Sequence, residues 1–331
     1  WSSMDNWSIV TKHNNVRYNS WKVMKLDNEL KILKNWLDNN PDLPFFSDIK
    51  LKKLGFTFVG SNVYRYALIL NKLSRYIDVS KSNKYLDFGS YPGQLQALIF
   101  DTFKVKFDLS GLHFSNVFKE YFSEYKILDF DFEESPSDSN LDKSKEKYNL
   151  STSFNIIEHM EYPNRLLDNI NYFTKNGGIL MLTTDNISTV KNILRMIVGG
   201  KSPNEGLIKS KIFYNGEWRP HIRIFSKDEL FFLLNYSGFK VIEHSYFNLR
   251  AREYKLNNGM LVRNKRSFKA RLLEFVENLF PFYRDHNFIV AEKVVDYNEL
   301  DSIRMLPTSS TDDWISYRYN MDKYEIFKRT R

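Results

Sequence analysis

The sequence has 331 residues, 42% of them hydrophobic and 16% aromatic, with 27 Phe and 20 Tyr; this is ample apolar side chain for a large core and excludes general disorder. Lys and Arg outnumber Asp and Glu by 48 to 40, a formal charge of +8 that suits a phosphate-bearing or acidic partner, an anionic membrane surface or plain solubility, and no basic run is dense enough to choose among them. The absence of cysteine excludes disulfides and thiolate metal sites and fits a reducing, cytoplasmic setting, while no apolar run is long enough to span a bilayer and no signal-like segment is visible.

The chain begins at Trp1 without a methionine, which leaves room for an upstream segment, and residues 1–16 are polar and without period. From Tyr18 to Leu37 the apolar positions Trp21, Met24, Leu30, Leu33 and Leu37 recur at helical spacing and stop at Asn39-Asn40-Pro41. Val63, Ala67, Leu70 and Leu73 mark a second helix, so residues 1–80 read as a helical extension laid against one end of the core. Next, KYLDFGSYPG (Lys84 to Gly93) reads as a strand, a glycine turn and the start of the helix QLQALIFDTF. KVKFDLS predicts a second strand ending in Asp108, and YKILDF a third ending in Asp129. An acidic, serine-rich loop spans Asp131 to Lys147. YNLSTSF (Tyr148 to Phe154) is a fourth strand; Leu166, Leu167, Ile170 and Phe173 mark a helix closed by Gly177-Gly178; GILMLTTDN (Gly178 to Asn186) is a fifth strand, apolar throughout as a central parallel strand should be.

Residues 187–225 form an insertion too long for a simple connection and contain EWRPHIRIF. Ser226 and Glu229 form a capping box that opens a helix ending at Gly238. FKVIEHSYF (Phe239 to Phe247) and NFIVAEKV (Asn287 to Val294) are the last two strands, separated by a basic loop and an amphipathic helix over 267–280. That helix is expected to bury Leu272, Phe275, Val276 and Leu279 in the core rather than to present them to a membrane or a partner. Residues 296–331 form a tail without period. Strands alternating with helices predict an α/β fold, a doubly wound and mostly parallel seven-stranded sheet with its core over 81–295 and its last strand antiparallel.

Ligands of such sheets sit outside the carboxyl ends of the strands, near the point where strand order reverses. Asp87, Asp108 and Asp129 are expected in that layer, and a carboxylate ending the second strand suits a ribose diol; each is also a residue type that caps helices or sits solvated in loops. His159 and His221 titrate in the range useful for proton removal, although His159 serves equally as a cap for the helix after it. Arg219 and Arg223 suit a phosphate or carboxylate on a substrate or a solvated loop, and Trp218 a sugar face or ordinary packing. No metal site stands out.

The order LDFGSYPG, FDLS, ILDF, NLSTSFNIIEHMEYPNRLLDNI and NGGILMLTTDN resembles the class I S-adenosylmethionine-dependent methyltransferases in their ubiquinone-biosynthesis-like branch, with a Rossmann-like fold. Glu158-His159, Pro163 and Gly177-Gly178 carry the most specific part of the match. HIRIFSKDELFFLLNYSGFKVIE is similar to methyltransferases of bacterial polysaccharide and lipid-modifying pathways, and the resemblance covers about residues 62 to 294. It implies S-adenosyl-L-methionine as cofactor. Gly89 and Gly93 would approach its methionine part, with Asp87 near the amino group; Asp108 would bind the ribose, Leu109 pack on adenine, and Asp129 with Phe130 contact the adenine edge. Ser153 and Phe154 would flank the sulfonium, His221 and His159 serve as catalytic bases, and Trp218, Arg219 and Arg223 hold the acceptor. The family commonly has Gly-x-Gly-x-Gly where this chain has Ser90-Tyr91-Pro92 between its glycines, and Pro92 removes one N–H donor. The acid that would join Glu158 in metal-using relatives is Asn155 here.

The function expected is O-methylation of a small-molecule, sugar or lipid-linked acceptor. Methylation of nucleic acid is the alternative prompted by charge and aromatic content, but SFNIIEH lacks the Asn/Asp-Pro-Pro-aromatic signature of exocyclic-amine methylation. A non-catalytic methyltransferase-like module of a larger polypeptide is the third reading. A nicotinamide enzyme fits less well, because it leaves the third strand and the Glu158-His159 segment without a role.

Overall fold

Strands whose successive side chains point to opposite faces, and which are apolar on both, must be covered by helices on both sides. The computed structural model describes residues 17–18, 26–39, 62–136, 147–204, 221–249, 254–257, 260–263 and 268–304. Its main sheet is built from β1 (Arg17–Tyr18), β2 (Tyr85–Phe88), β3 (Asp108–Gly111), β4 (Ile127–Asp129), β5 (Tyr148–Phe154), β6 (Thr174–Asp185), β7 (Phe239–Phe247) and β10 (His286–Lys293). A separate hairpin pairs β8 (Tyr254–Asn257) with β9 (Met260–Arg263). The main sheet runs β1-β7-β10-β6-β5-β2-β3-β4, and β10 alone opposes both its neighbours. This is the expected doubly wound sheet of seven strands, extended by β1 at the edge beside β7. Chain order reverses between β2 and β5, so a crevice opens at their carboxyl ends, where Phe88 lies opposite Ser153.

Alternation sorts each strand between two cores. Tyr85, Leu109, Leu150, Met181, Phe288 and Val290 face one layer, with α1 (Asp27–Asn39), α2 (Val63–Leu73), α3 (Gln94–Phe103) and α4 (Asn116–Tyr121) over them. Leu86, Phe88, Leu180, Leu182, Ile289 and Ala291 face the other, covered by α5 (Pro163–Phe173) and α7 (Lys227–Tyr236). Two helices complete the first insertion and the second: α6 (Val190–Gly199) and α8 (Phe268–Leu279). A last one, α9 (Tyr297–Arg304), follows β10.

Several expectations shift. The first helix begins at Asp27, with Asp27 and Glu29 in its first turn where the helix dipole favours them, and Tyr18 belongs to an edge strand. Rather than lying at one end of the core, α2 is buried on nearly every side, and its Lys72 forms an ion pair with Glu243 of β7. Helix α5 stops at Phe173, before Gly177, because Thr174 turns its hydroxyl onto the Ile170 carbonyl at 2.6 Å and its backbone pairs with Tyr148 in the ladder. The capping box holds: Ser226 Oγ accepts from Glu229 N while the Glu229 carboxylate accepts from Ser226 N. In α8, Leu272, Phe275 and Leu279 are exposed and do not join the core. No helix among the described residues is long and apolar enough to cross a membrane.

Candidate functional site

The reversal point is built around a buried carboxyl group. All of β2 is buried, and it ends in Gly89 and Gly93, both left-handed, which bring the chain round to the first turn of α3. Gly89 N and Ser90 N both donate to the Ser110 carbonyl, at 2.9 and 3.1 Å, tying the loop to the end of β3. A Cβ on Gly89 would stand 2.2 Å from Ile156 Cδ1, so the segment after β5 closes directly over this glycine. Beneath it Asp87 accepts from Thr152 Oγ1 at 2.5 Å. Burial pushes the Asp87 carboxyl up to about 6, against the hydrogen bonds from Thr152, Ser90 and Gln96 that favour its charge.

Around this loop the expected cofactor residues separate. Asp129 closes β4 as predicted, stands exposed at the carboxyl edge, and accepts from His113 N at 3.1 Å and Lys119 Nζ at 3.2 Å. Ser153 and Phe154 are the last residues of β5; the Ser153 hydroxyl is buried with no hydrogen-bond partner among the described residues, and Phe154 stacks on Phe288. Asp108 does not end the second strand. It opens β3 opposite Leu86 and accepts from the hydroxyl of Tyr148, the first residue of β5, so it lies toward the amino end of the sheet. The segment of KVKFDLS before Asp108, predicted as strand, lies outside the ladder; its Phe107 is buried and stacks on Tyr85 before pairing begins. Leu109 is fully buried in one core, and the Phe130 ring packs edge-on against Phe88 and Phe132 in the other. What remains at the end of β3 is Gly111, closed by the Phe114 ring.

The second half of the site lies at the same edge, beyond β5. Asn155, left-handed at φ 59°, accepts from Thr183 Oγ1 and turns the chain into a 3-10 turn, Ile157–His159. This buries Glu158, whose Oε2 accepts from Thr184 Oγ1 at 2.8 Å. The Glu158 carbonyl in turn accepts from Ile222 N and Arg223 N, which docks the end of the long insertion and brings the His221 ring to 4.6 Å from that of His159, edge to face. His221 Nδ1 meets Asp185 Oδ2 at 2.6 Å, and His286 Nε2 meets Asp185 Oδ1 at 2.7 Å, so the carboxylate ending β6 holds an imidazole on each oxygen. Burial works against the charge of Asp185, but the bonds from His221 and His286 and their charge outweigh it and hold the carboxyl below its ordinary range. Burial likewise disfavours the His221 imidazolium, and the Asp185 bond and charge more than reverse that, raising it. Arg65, buried in α2, has its guanidinium lowered by burial while Tyr66, Glu158 and Asp185 sustain its charge. Burial pushes the Tyr66 phenol up to about 12.

Of the residues expected on the acceptor side, His159 and His221 are therefore brought together. Arg223 is turned aside: its guanidinium pairs with Glu229 at 2.7 Å and lies over the Phe225 ring. Trp218 and Arg219 lie outside the described residues. Asp185, His286 and Arg65 escaped sequence reasoning. Asp185 is legible as an acid at the end of a predicted strand and Arg65 as one charge in the apolar run VYRYALIL, whereas His286 carries no local signal.

The family model described as a methyltransferase domain matches residues 60–244, from just before α2 into β7. Among solved structures the chain is similar to one from the Haloferax volcanii complex between the Trm112 methyltransferase activator and a methyltransferase (14% identity, 79% of this chain and 97% of that one, TM-score 0.44). It is also similar to a SAM-dependent methyltransferase from Thermotoga maritima (13%, 80% and 99%, TM-score 0.41) and to one from Archaeoglobus fulgidus (16%, 72% and 99%, TM-score 0.41). No curated protein matches the chain.

Proposed function

The chain belongs to the methyltransferase-domain family, and we propose that it methylates an oxygen of a small-molecule, sugar or lipid-linked acceptor with S-adenosyl-L-methionine as cofactor. The single observation behind the acceptor side is the cluster at the carboxyl edge, in which Asp185 fixes His221 and the ring of His221 meets that of His159.

The residues present fit the cofactor at its methionine end. Gly89 and Gly93 carry no side chain where the backbone must come close, and the first N–H groups of α3 follow them. Among the described residues no cation meets the buried Asp87 carboxyl, so a ligand ammonium would restore the charge that burial opposes. The buried Ser153 hydroxyl lies at the strand end expected beside the sulfonium. At the ribose end the carboxylate is Asp129, exposed at the end of β4, in place of Asp108. We assign the cofactor to Asp87, Gly89, Gly93, Asp129, Ser153 and Phe154.

When bound, the cofactor supplies an electrophilic methyl group on a sulfonium. In-line displacement asks the protein mainly to position acceptor oxygen and methyl carbon and to remove the acceptor's proton. The proton leaves at the paired imidazoles His159 and His221; Asp185 fixes the orientation of His221 by taking its Nδ1, which leaves Nε2 toward the acceptor. Arg65 balances the charge of Glu158 and Asp185 from beneath.

Calorimetric titration with S-adenosyl-L-methionine, followed by methyl transfer onto a panel of sugars and glycolipids, tests this. The parent binds and transfers; His221→Ala binds the cofactor equally and loses transfer. No cofactor binding by the parent, or unchanged transfer by the variant, overturns it.

A further inference from the structure

Asp185 closes β6 and His286 opens β10, and the antiparallel ladder sets the two directly opposite each other. Residues so opposed carry their side chains on one face of the sheet. Here His286 Nε2 reaches Asp185 Oδ1 at 2.7 Å, while Oδ2 meets His221 Nδ1 at 2.6 Å. Among the described residues the hydrogen bonds on that carboxylate come from these two imidazoles. The backbone beside them is clamped, since Asn186 N donates to the Asp285 carbonyl and Asn186 Nδ2 to the Arg284 carbonyl, both at 2.8 Å. The His286 ring lies tilted on that of Phe247, with 5.3 Å between centroids, and its side chain is 7% exposed against 44% for His221. One imidazole is thus locked in the sheet, and the other stands open at the carboxyl edge.

His286 carries a cost that packing does not explain. Its Nδ1 is buried with no hydrogen-bond partner among the described residues, a penalty that Phe or Leu would not incur in the same space. The same atom fixes the tautomer: with nothing to receive a hydrogen at Nδ1, the ring hydrogen sits on Nε2 and is donated to Asp185. We propose that His286 is the positioning residue of the proton-accepting centre, holding the Asp185 carboxylate so that Oδ2 meets His221 Nδ1 and Nε2 of His221 remains the free base. This rests on the methyltransferase reading for the source of the proton, an acceptor hydroxyl, while the positioning itself is testable without turnover.

The two imidazoles then have different tasks. As the acceptor's O–H bond breaks, its proton binds Nε2 of His221; the imidazolium is opposed by burial, but the bond and charge of Asp185 outweigh this and raise it. His286 keeps its hydrogen on Nε2, because a second one on Nδ1 would meet no acceptor among the described residues. Glu158 and His159 on the 3-10 turn and Arg65 on α2 also face His221 and set the surrounding charge, while His286 sets the orientation of the carboxylate. Without His286 the carboxylate turns about its last torsion and water competes for both oxygens, so the bond to His221 weakens and the imidazole returns toward 6.5.

Protein labelled with ¹³C at histidine is titrated by NMR, with the His221 signal assigned by its loss in His221→Gln. The parent's His221 titrates above 6.5. In His286→Phe, which keeps a ring against Phe247 and removes the donor, the titration falls toward 6.5; in His286→Gln, whose amide N–H replaces Nε2–H, it stays raised. Circular dichroism verifies folding, and His286→Leu serves where His286→Phe does not fold. In methyl transfer onto sugars and glycolipids, His286→Phe loses about 10–100-fold in kcat, the worth of a hydrogen bond to a charged group, with cofactor affinity unchanged, and His286→Gln regains most of it. A merely structural role would lower stability and move neither the His221 titration nor kcat. An unchanged or higher His221 titration in His286→Phe, or an equal fall in His286→Gln, overturns the positioning role. Titrations that respond as stated in a parent that binds no cofactor leave the role standing and overturn the methyltransferase reading instead.

Discussion

Asp87 sits where stability and cofactor binding pull in opposite directions, and Asp87→Asn separates them. Burial raises its carboxyl from an ordinary value of 3.8 to about 6, so folding favours the protonated form. The stabilisation is complete below pH 3.8 and is lost as pH rises through 6, where the folded chain must carry a buried anion. A shift of that size corresponds to about 3 kcal/mol at neutral pH and above. Asparagine keeps the oxygen that accepts from Thr152 and removes the charge; allowing about 1 kcal/mol for an amide N–H left without an acceptor, the variant should gain about 2 kcal/mol at pH 8. Near pH 4 the gain should vanish. Denaturant titrations of parent and variant at pH 4, 6 and 8 measure the difference. In the same variant, cofactor affinity at pH 8 should fall about 10–100-fold, the worth of a charge-assisted bond to an ammonium. A variant less stable than the parent at pH 8 would refute the electrostatic argument. Undiminished cofactor affinity would remove Asp87 from the binding site.

Other positions give independent checks. His244 is buried against Asn287, and burial lowers its imidazole from 6.5 to about 4; the stability of the neutral form is complete above pH 6.5 and lost as pH falls through 4, amounting to about 3 kcal/mol, so His244→Gln should flatten the acid limb of a melting-temperature profile. Gly89→Ala places a methyl against Ile156 at a left-handed backbone and should cost about 2 kcal/mol or more in chemical denaturation, partly restored by Ile156→Ala. Lys72→Met strands Glu243 at a buried pair and should cost about 3–5 kcal/mol, whereas the double change Lys72→Met with Glu243→Leu should lie near the parent; equal loss in both would show that packing rather than charge governs the pair.

What the sequence made legible is what repeats locally. The alternation of β5, β7 and β10 and the Ser226–Glu229 capping box are each written within a few residues, and these elements lie where their patterns put them. The hairpin of β8 and β9 was legible too, since Asn258-Gly259 between short apolar runs is a strong hairpin signal, but the basic composition around it reads as loop. Helix α9 carries no such pattern: the buried Leu300 and the grip of Arg304 on Asp168 anchor it, and neither has a period. The polar centre is of this second kind. Glu158, Asp185, His221 and His286 come from separate segments, and only the parallel register of β5 with β6 and the antiparallel register of β10 with β6 put them at one edge. A local reading can still find such groups by their cost. Arg65, Lys72, Asp87, Glu243 and His244 are polar or charged residues set within apolar runs, and burying any of them requires a partner or a displaced pKa. The sequence shows that the requirement exists, while the fold decides which residue meets it. Lys72 and Glu243 answer one another, whereas Asp87 is answered by no cation among the described residues, which is why a ligand is assigned to it.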